Sequence, residues 1–347
     1  MMRIFIGSTG EHAGLTLVIW AIIRRLMEKK YSPGFFKPFG GDGLNDNETG
    51  MDPDALLFKE ILNMEEPVEM ICPYTFSENI KIQDNQTQVL KKIKYLLSTF
   101  SIDKDILLIA GSKDIFNDSA PRALKDMALI REINTDVILA HRFQKISSSI
   151  YSILSIHSLL KNNLKGVVIN RVPSEQLENV KDKITPLLQQ KGISNIAVLP
   201  EDPFLSMWSI KKIVEVLEGK IICGKEYLDR PVNTLTVGAS FLSKGLRIFK
   251  RVYNKIILLS PSSGTTEVAG VILTGDRDIP EKVLEIAREY KIPLISVKNS
   301  IFSTWDLLEN NLSRLSSGDE DKVIRFMEMM DCNDFLNNLM NSLGIVF

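Results

Sequence analysis

Near its amino end the chain reads "GSTGEHAGLT", residues 7–16, set between the apolar run "MMRIFI" and the apolar stretch "LVIWAIIRRLMEKK". Gly7, Gly10 and Gly14 let backbone N–H groups come close to an anion, and a helix starting behind them adds the positive end of its dipole. Thr16 stands where a hydroxyl binds Mg2+ beside a phosphate. Leu15 occupies the place of a phosphate-binding lysine, and the strict GxxxxGK[ST] spacing is not met. Glu11 adds a negative charge to the loop. On its own the segment reads equally as an anion cradle or as a tight strand–helix turn without a ligand.

The elements that must hold this loop follow from hydrophobic patterning. "RIFIG" predicts a buried strand and residues 14–30 a helix. "GFFKPF", "DILLIAG", "TDVILAH", "KGVVINRV" and "ISNIAVLP" predict further strands. "PDALLFKEIL", "KKIKYLLSTF", "ISSSIYSILSIHSLLKN" and "QLENVKDKITPLLQQKG" predict helices between them. Such alternation implies an α/β fold with a doubly wound, mostly parallel sheet over residues 1–215. Ligands of these sheets sit outside the carboxyl ends of the strands, where the 7–16 loop falls. "RIFIG" and "DILLIA" are apolar on both faces and predict central strands. Residues 216–232 read as a connector. A second, smaller α/β domain is expected over 233–310, from "TLTVGA", "KIILLS", "AGVILTG", "PEKVLEIAREYK" and "IPLISV". The tail, 311–347, shows two short amphipathic helices whose apolar residues must pack back on the chain or onto another copy.

Composition narrows the function classes. The 347 residues are 44% hydrophobic and 24% charged, with a formal net charge of −1. That balance offers no electrostatic case for nucleic acid or a membrane surface. "LVIWAII" is far shorter than the ~20 residues of a membrane span. Cys72, Cys223 and Cys332 form no CxxC pair, which suits a reducing cytoplasm and excludes a disulfide framework. The expected location is cytoplasmic.

"FFKPFG", "DPDALL", "CPYTF", "GVVINRVP" and "AVLPEDPFL" occur in that order at close spacing. Together they make residues 1–215 resemble dethiobiotin synthetase and the P-loop amino-terminal domain of long phosphotransacetylases. The latter is similar to this chain in carrying G-L-T where the synthetase has G-K-T. The resemblance implies ATP and Mg2+ as cofactors. It places phosphates over Gly10, Gly14, Leu15 and Thr16, the metal at Thr16 and Asp54, and substrate and phosphate contact at Lys37. It also implies adenine readout by Asn170, whose carboxamide suits the adenine edge. Local readings compete: Lys37 as a surface lysine, Asp52 and Asp54 as helix-start acids, Asn170 as a turn residue. Where the family has a metal-site glutamate this chain has Ala110. Asp114 and Asp118 lie nearby but off register.

Residues 233–310 resemble the domain named for the letters D-R-T-G-G, through "LDRPV", "VGASFLSKGLRIF" and "GVILTGDRDIPEKVLEIAREYKIPLISVKNSIFSTWDLLEN". The naming motif is replaced by "SPSSGTTE" and "LTGDRD". The resemblance implies an adenine-nucleotide-binding protein with a degenerate P-loop and a regulatory or assembly domain, in a homo-oligomer. Two other readings stay open: an ATP-dependent carboxylate-activating synthetase, and a scaffold that binds no nucleotide.

Overall fold

Strand β1 (Met2–Ser8) places Ile4, Phe5 and Ile6 at 0% exposure, as an all-apolar strand requires when both faces are covered. In the computed structural model, which describes residues 1–40, 51–74, 86–100, 103–116, 124–237, 256–260, 268–275, 279–312 and 314–345, β1 is central. It pairs in parallel with β3 (Ile106–Ala110), Ile6 facing Ala110, and with β4 (Asp136–Arg142), Ile6 facing Ile138. With β2 (Pro33–Phe36), β5 (Leu164–Val172) and β6 (Ile196–Pro200) the sheet has the order β2-β3-β1-β4-β5-β6, and every pair is parallel. Parallel neighbours require long crossovers. These are helices α1 (Leu15–Glu28), α2 (Pro53–Ile61), α3 (Val68–Ile71), α4 (Gln86–Thr99), α5 (Asp126–Ile133), α6 (Ile146–Leu160) and α7 (Leu177–Gln190). From β1 the chain runs outward to β2 and returns to β3. It then crosses β1 to reach β4, so the strand order reverses at β1.

Residues 1–201 and 316–347 form one compact unit, and residues 202–315 a second. In the second unit β7 (Trp208–Ser209) and β9 (Pro231–Val232) form a two-stranded antiparallel pair. A second sheet is built from β8 (Lys220–Cys223), β10 (Thr234–Val237), β11 (Ile256–Ser260), β12 (Gly270–Thr274) and β13 (Leu294–Val297), in the order β10-β11-β12-β13-β8. Alternate residues go to opposite faces. Leu258, Val271, Leu273 and Leu294 pack under the helix Glu281–Glu289. Ile257, Leu259, Ile272 and Ile295 pack with helix α8 (Ile210–Leu217) and the helix Ile301–Asn311. The stretch 216–232, read as a connector, carries β8, which pairs antiparallel with β13. Four residues are too few for a periodicity to stand out. Residues 238–249 of "VGASFLSKGLRIF", residues 261–267 of "SPSSGTTE", residues 276–278 of "LTGDRD" and Asp118 lie outside the described residues.

The tail packs back. Its helices Glu320–Asp331 and Phe335–Ser342 bury Val323, Phe326, Met330, Phe335, Leu336, Leu339 and Met340 at 0–1% exposure. Arg24 and Arg25 of α1 pair with Glu320 and Asp331. These apolar faces are covered within the chain, so they carry no argument for a second copy. Gly166 of β5 lies against the tail. A Cβ there would lie 3.1 Å from Phe335 Cζ and 3.3 Å from Leu339 Cδ1.

Gly166→Val is expected to lower stability by about 1–3 kcal/mol, the usual cost of overpacking. Urea unfolding reads the loss, and Phe335→Leu in the same chain should recover part of it.

Candidate functional site

The reversal of strand order at β1 gathers the carboxyl ends of β1 to β5 around the 7–16 loop. The loop turns through Gly10 (φ 155°) and Gly14 (φ 89°), and Gly14 is the N-cap of α1. No side chain caps that end, and no acid stands in its first turn. Val18 N–H donates to Gly14 O as the first helical bond, which leaves the N–H groups of Leu15, Thr16 and Leu17 outside the helical ladder. Gly14 is required twice. Its backbone is left-handed, and a Cβ would lie 2.5 Å from Asn170 Nδ2.

Asn170, at the end of β5 and 4% exposed, clamps the loop. Its Nδ2 donates to Ala13 O at 3.1 Å, and its Oδ1 accepts from Arg171 N at 2.9 Å. Thr9 is tied from the other side, through Thr9 N to Ala140 O at 3.1 Å and Thr9 Oγ1 to His141 Nδ1 at 2.7 Å. His141 Nε2 in turn meets Ser149 Oγ of α6 at 2.8 Å. A neutral ring fits this chain, with one hydroxyl donating to the bare nitrogen and the other accepting from the N–H. Burial lowers the His141 pKa to about 4.

Lys37 continues from β2 into a buried charge cluster. Its Nζ lies 2.9 Å from Asp52 Oδ2 and 2.7 Å from Asp54 Oδ2. Thr16 Oγ1 donates to the other oxygen of Asp54 at 3.2 Å. Burial by itself would lower the Lys37 pKa. The attraction and hydrogen bonds of Asp52 and Asp54 outweigh it, so the pKa is raised and the ammonium stays charged. Asp52 also accepts from Ala55 N at 3.1 Å as the N-cap of α2. The helix-start reading of Asp52 and the ion-pair role therefore hold together, whereas the surface-lysine reading of Lys37 fails at 8% exposure. Beneath them Cys72 is buried, and desolvation first and then Asp52 push its thiol up to about 12.

The structure thus brings Gly10, Gly14, Leu15, Thr16, Lys37, Asp54 and Asn170 to one end of the sheet. Ala110 ends β3 at 2% exposure. Asp114 forms a backbone bridge to Thr9 of the loop, and its Oδ1 accepts from Phe116 N at 2.9 Å. A residue that sequence reasoning passed over shapes this corner. Asp126, 3% exposed at the start of α5, accepts from Ser112 N at 2.7 Å and Ser112 Oγ at 2.6 Å. The acid opening "DMALIREI" was the available signal, but eight residues are short for a helix prediction. Arg142 and Arg171 also stand by the loop. His12 feels both: burial, then Arg171 and Arg142, lower its pKa.

Two outcomes follow from this geometry. Lys37→Met leaves Asp52 buried without its cation, which typically costs about 3–5 kcal/mol. Calorimetric melting reads that loss, and unchanged stability would contradict the buried-pair assignment. His141 titrates near 6.5 in an unfolded chain. Below that pH the unfolded chain binds a proton that the fold refuses until about 4. The contribution of His141 to stability is therefore complete above pH 6.5 and falls away as pH drops from 6.5 to 4, by roughly 3 kcal/mol. His141→Asn should flatten that part of the pH–stability curve.

Comparison with known proteins gives matches on both parts of the chain. Residues 2–207 match the AAA domain family, and residues 212–311 the DRTGG domain. The phosphate acetyltransferase of Synechocystis is 20% identical over 97% of this chain and 51% of its own length. The chain therefore spans about half of that relative. The ATP-dependent dethiobiotin synthetase BioD of Ruthia magnifica is 25% identical over 52% of this chain and 85% of its own length. Among solved structures, the MinD cell division protein of Aquifex aeolicus is 15% identical, with TM-score 0.35, over 59% of this chain and 84% of that one. The chain belongs to the AAA domain family, here in its dethiobiotin-synthetase-like P-loop form, and carries a DRTGG domain behind it.

Proposed function

We propose that the protein binds adenine nucleotide with Mg2+ at the 7–16 loop and acts as a regulatory or ligand-sensing protein. One observation carries this reading: the uncapped amino end of α1 lies beside an intact Thr16–Asp54–Lys37 cluster. The free N–H groups and the helix dipole favour a phosphate. Thr16 and Asp54 supply hard oxygen donors of the kind Mg2+ takes, phosphate oxygens and water completing its shell. Among the described residues no three His, Cys, Asp or Glu cluster as a metal site by themselves, which fits a cation held jointly with a nucleotide. The base is placed beside Asn170. Leu15 and Ala110 remove two groups that stabilise charge in phosphoryl transfer, which favours binding over turnover.

The proposed division of labour gives nucleotide binding to the first unit and regulation or assembly to the DRTGG domain. Glu201, the last residue of the first unit before the chain leaves it, donates its N–H to Val172 O at 2.8 Å, two residues from Asn170. Occupancy beside Asn170 thus bears on the exit of the chain. No helix among the described residues is long and apolar enough to cross a membrane, in keeping with the proposed cytoplasmic location.

Titration calorimetry with Mg-ATP tests the site. Weak binding is expected, and Leu15→Lys should tighten it about tenfold, the value of one added charge-assisted hydrogen bond. No binding at millimolar Mg-ATP, with Leu15→Lys equally inert, overturns the reading in favour of a scaffold. Stoichiometric ADP release on long incubation would favour the synthetase. Asn170→Ala should weaken ATP and GTP unequally where the side chain reads the base, and equally where it only anchors Ala13.

A further inference from the structure

The apolar strand β4 ends on a polar ring. Val137, Ile138, Leu139 and Ala140 are fully buried, and the next residue, His141, is nearly so. A buried imidazole is costly unless its nitrogens are paired, and an apolar side chain would fill the position without that demand. Here both nitrogens are paired, and to different elements. Nδ1 meets Thr9 Oγ1 of the phosphate loop, and Nε2 meets Ser149 Oγ in the opening turn of α6. Ser149 is itself fully buried. The ring therefore spans the gap between the loop and α6. Burial keeps it neutral, and a neutral ring has one donor and one acceptor, so each hydroxyl answers one nitrogen.

What Thr9 does bears on the residue after it. Gly10 turns at φ 155°, and nothing lies within 4 Å of where its Cβ would stand. Packing does not hold Gly10, so its path depends on the anchors on either side. The anchor that follows is Ala13, whose carbonyl accepts from Asn170. The anchor before it is Thr9. Its main chain is fixed by the bond to Ala140 O and by the bridge to Asp114. Its side chain is fixed by His141. Ser8 Oγ donates to Gly10 O at 2.8 Å, which ties the residues on both sides of Thr9 together.

We propose that His141 is a positioning residue of the phosphate loop. Through Thr9 it sets the path of the loop, and through Ser149 it makes that path depend on where α6 lies. A shift of α6 is thereby passed to the loop, which gives the nucleotide site a regulatory input from that helix. His141 itself does not touch the nucleotide. The effect on affinity rests on the nucleotide reading above, whereas the effect on the loop does not.

Amide hydrogen exchange of the ligand-free full chain and titration calorimetry with Mg-ATP provide the test. His141→Phe keeps a ring and removes both nitrogens. Thr9→Val removes the hydroxyl that meets Nδ1, and the double variant removes both partners, which is nearly neutral for stability. In all three the 7–16 loop should exchange about three- to tenfold faster, the worth of one hydrogen bond, while β3 and β5 stay protected as before. Mg-ATP should bind more weakly by a similar factor, and the double variant should be no worse than either single one. His141→Gln, with a donor and an acceptor, should recover part of both losses. Ser149→Ala should loosen the loop although it lies outside it, and an unchanged loop there overturns the coupling to α6. A histidine that only supports the core would loosen β3 and β5 together with the loop, and that result overturns the proposal. So does unchanged loop exchange in the double variant, which also decides the matter where a single variant fails to fold. Absence of Mg-ATP binding by the wild-type chain overturns the nucleotide reading alone, since loop exchange still tests the role of His141.

Discussion

The hydrogen bonding of β1 on both edges is the constraint from which the rest of the first unit follows. Met2–Ser8 pairs with β3 on one side and β4 on the other. A strand so placed is shielded on both faces and both edges, so its residues must be apolar, and Ile4–Ile6 are. It also forces the chain to leave at the carboxyl end, where the order of strands reverses and the neighbouring strand ends diverge. The 7–16 loop is the exit. The residues assigned to the site come from strand ends, loops and the first turns of α1 and α2 that this placement brings into reach.

Buried charge at that end is balanced group by group. Lys37 stands between Asp52 and Asp54, and Asp126 is met by the N–H and hydroxyl of Ser112. Removing such a group from water is costly unless its hydrogen-bonding capacity is met, and in these clusters it is. The loop is stiffened by neutral groups as well. Asn170 holds Ala13, and His141 links Thr9 to Ser149. A loop clamped from two strands presents its N–H groups in a fixed direction, so a ligand meets a site already ordered and incurs less of the ordering cost of binding.

The second unit obeys the same patterning with a different outcome. Its central strands send alternate residues to two apolar layers, and the strand β8 that completes the sheet comes from residues before the others in sequence. The helices at the end of the chain go the other way in sequence terms. They close over β5 of the first unit, where Gly166 leaves room for Phe335. Contiguous sequence and compact unit therefore part company at both boundaries.

Local pattern carried much of this. Apolar runs bounded by glycine and proline determined the strands, helical spacing determined α1, α4, α6 and α7, and motif order determined the family. The glycines at 10 and 14 announced a loop with unusual backbone. Short elements such as α5 and β8 were not legible, because eight or four residues carry too little periodicity. The sequence also left open whether Lys37 is solvated, what Asn170 bonds to, and that His141 and Asp126 matter. Those depend on partners 17 residues away for Lys37 and Asp54, 132 for Thr9 and His141, and 157 for Ala13 and Asn170. Hydrophobic periodicity determines which segments become strands, since burial is read residue by residue. Which polar side chains then face one another depends on the order of those strands in the sheet, and only the tertiary structure decides that.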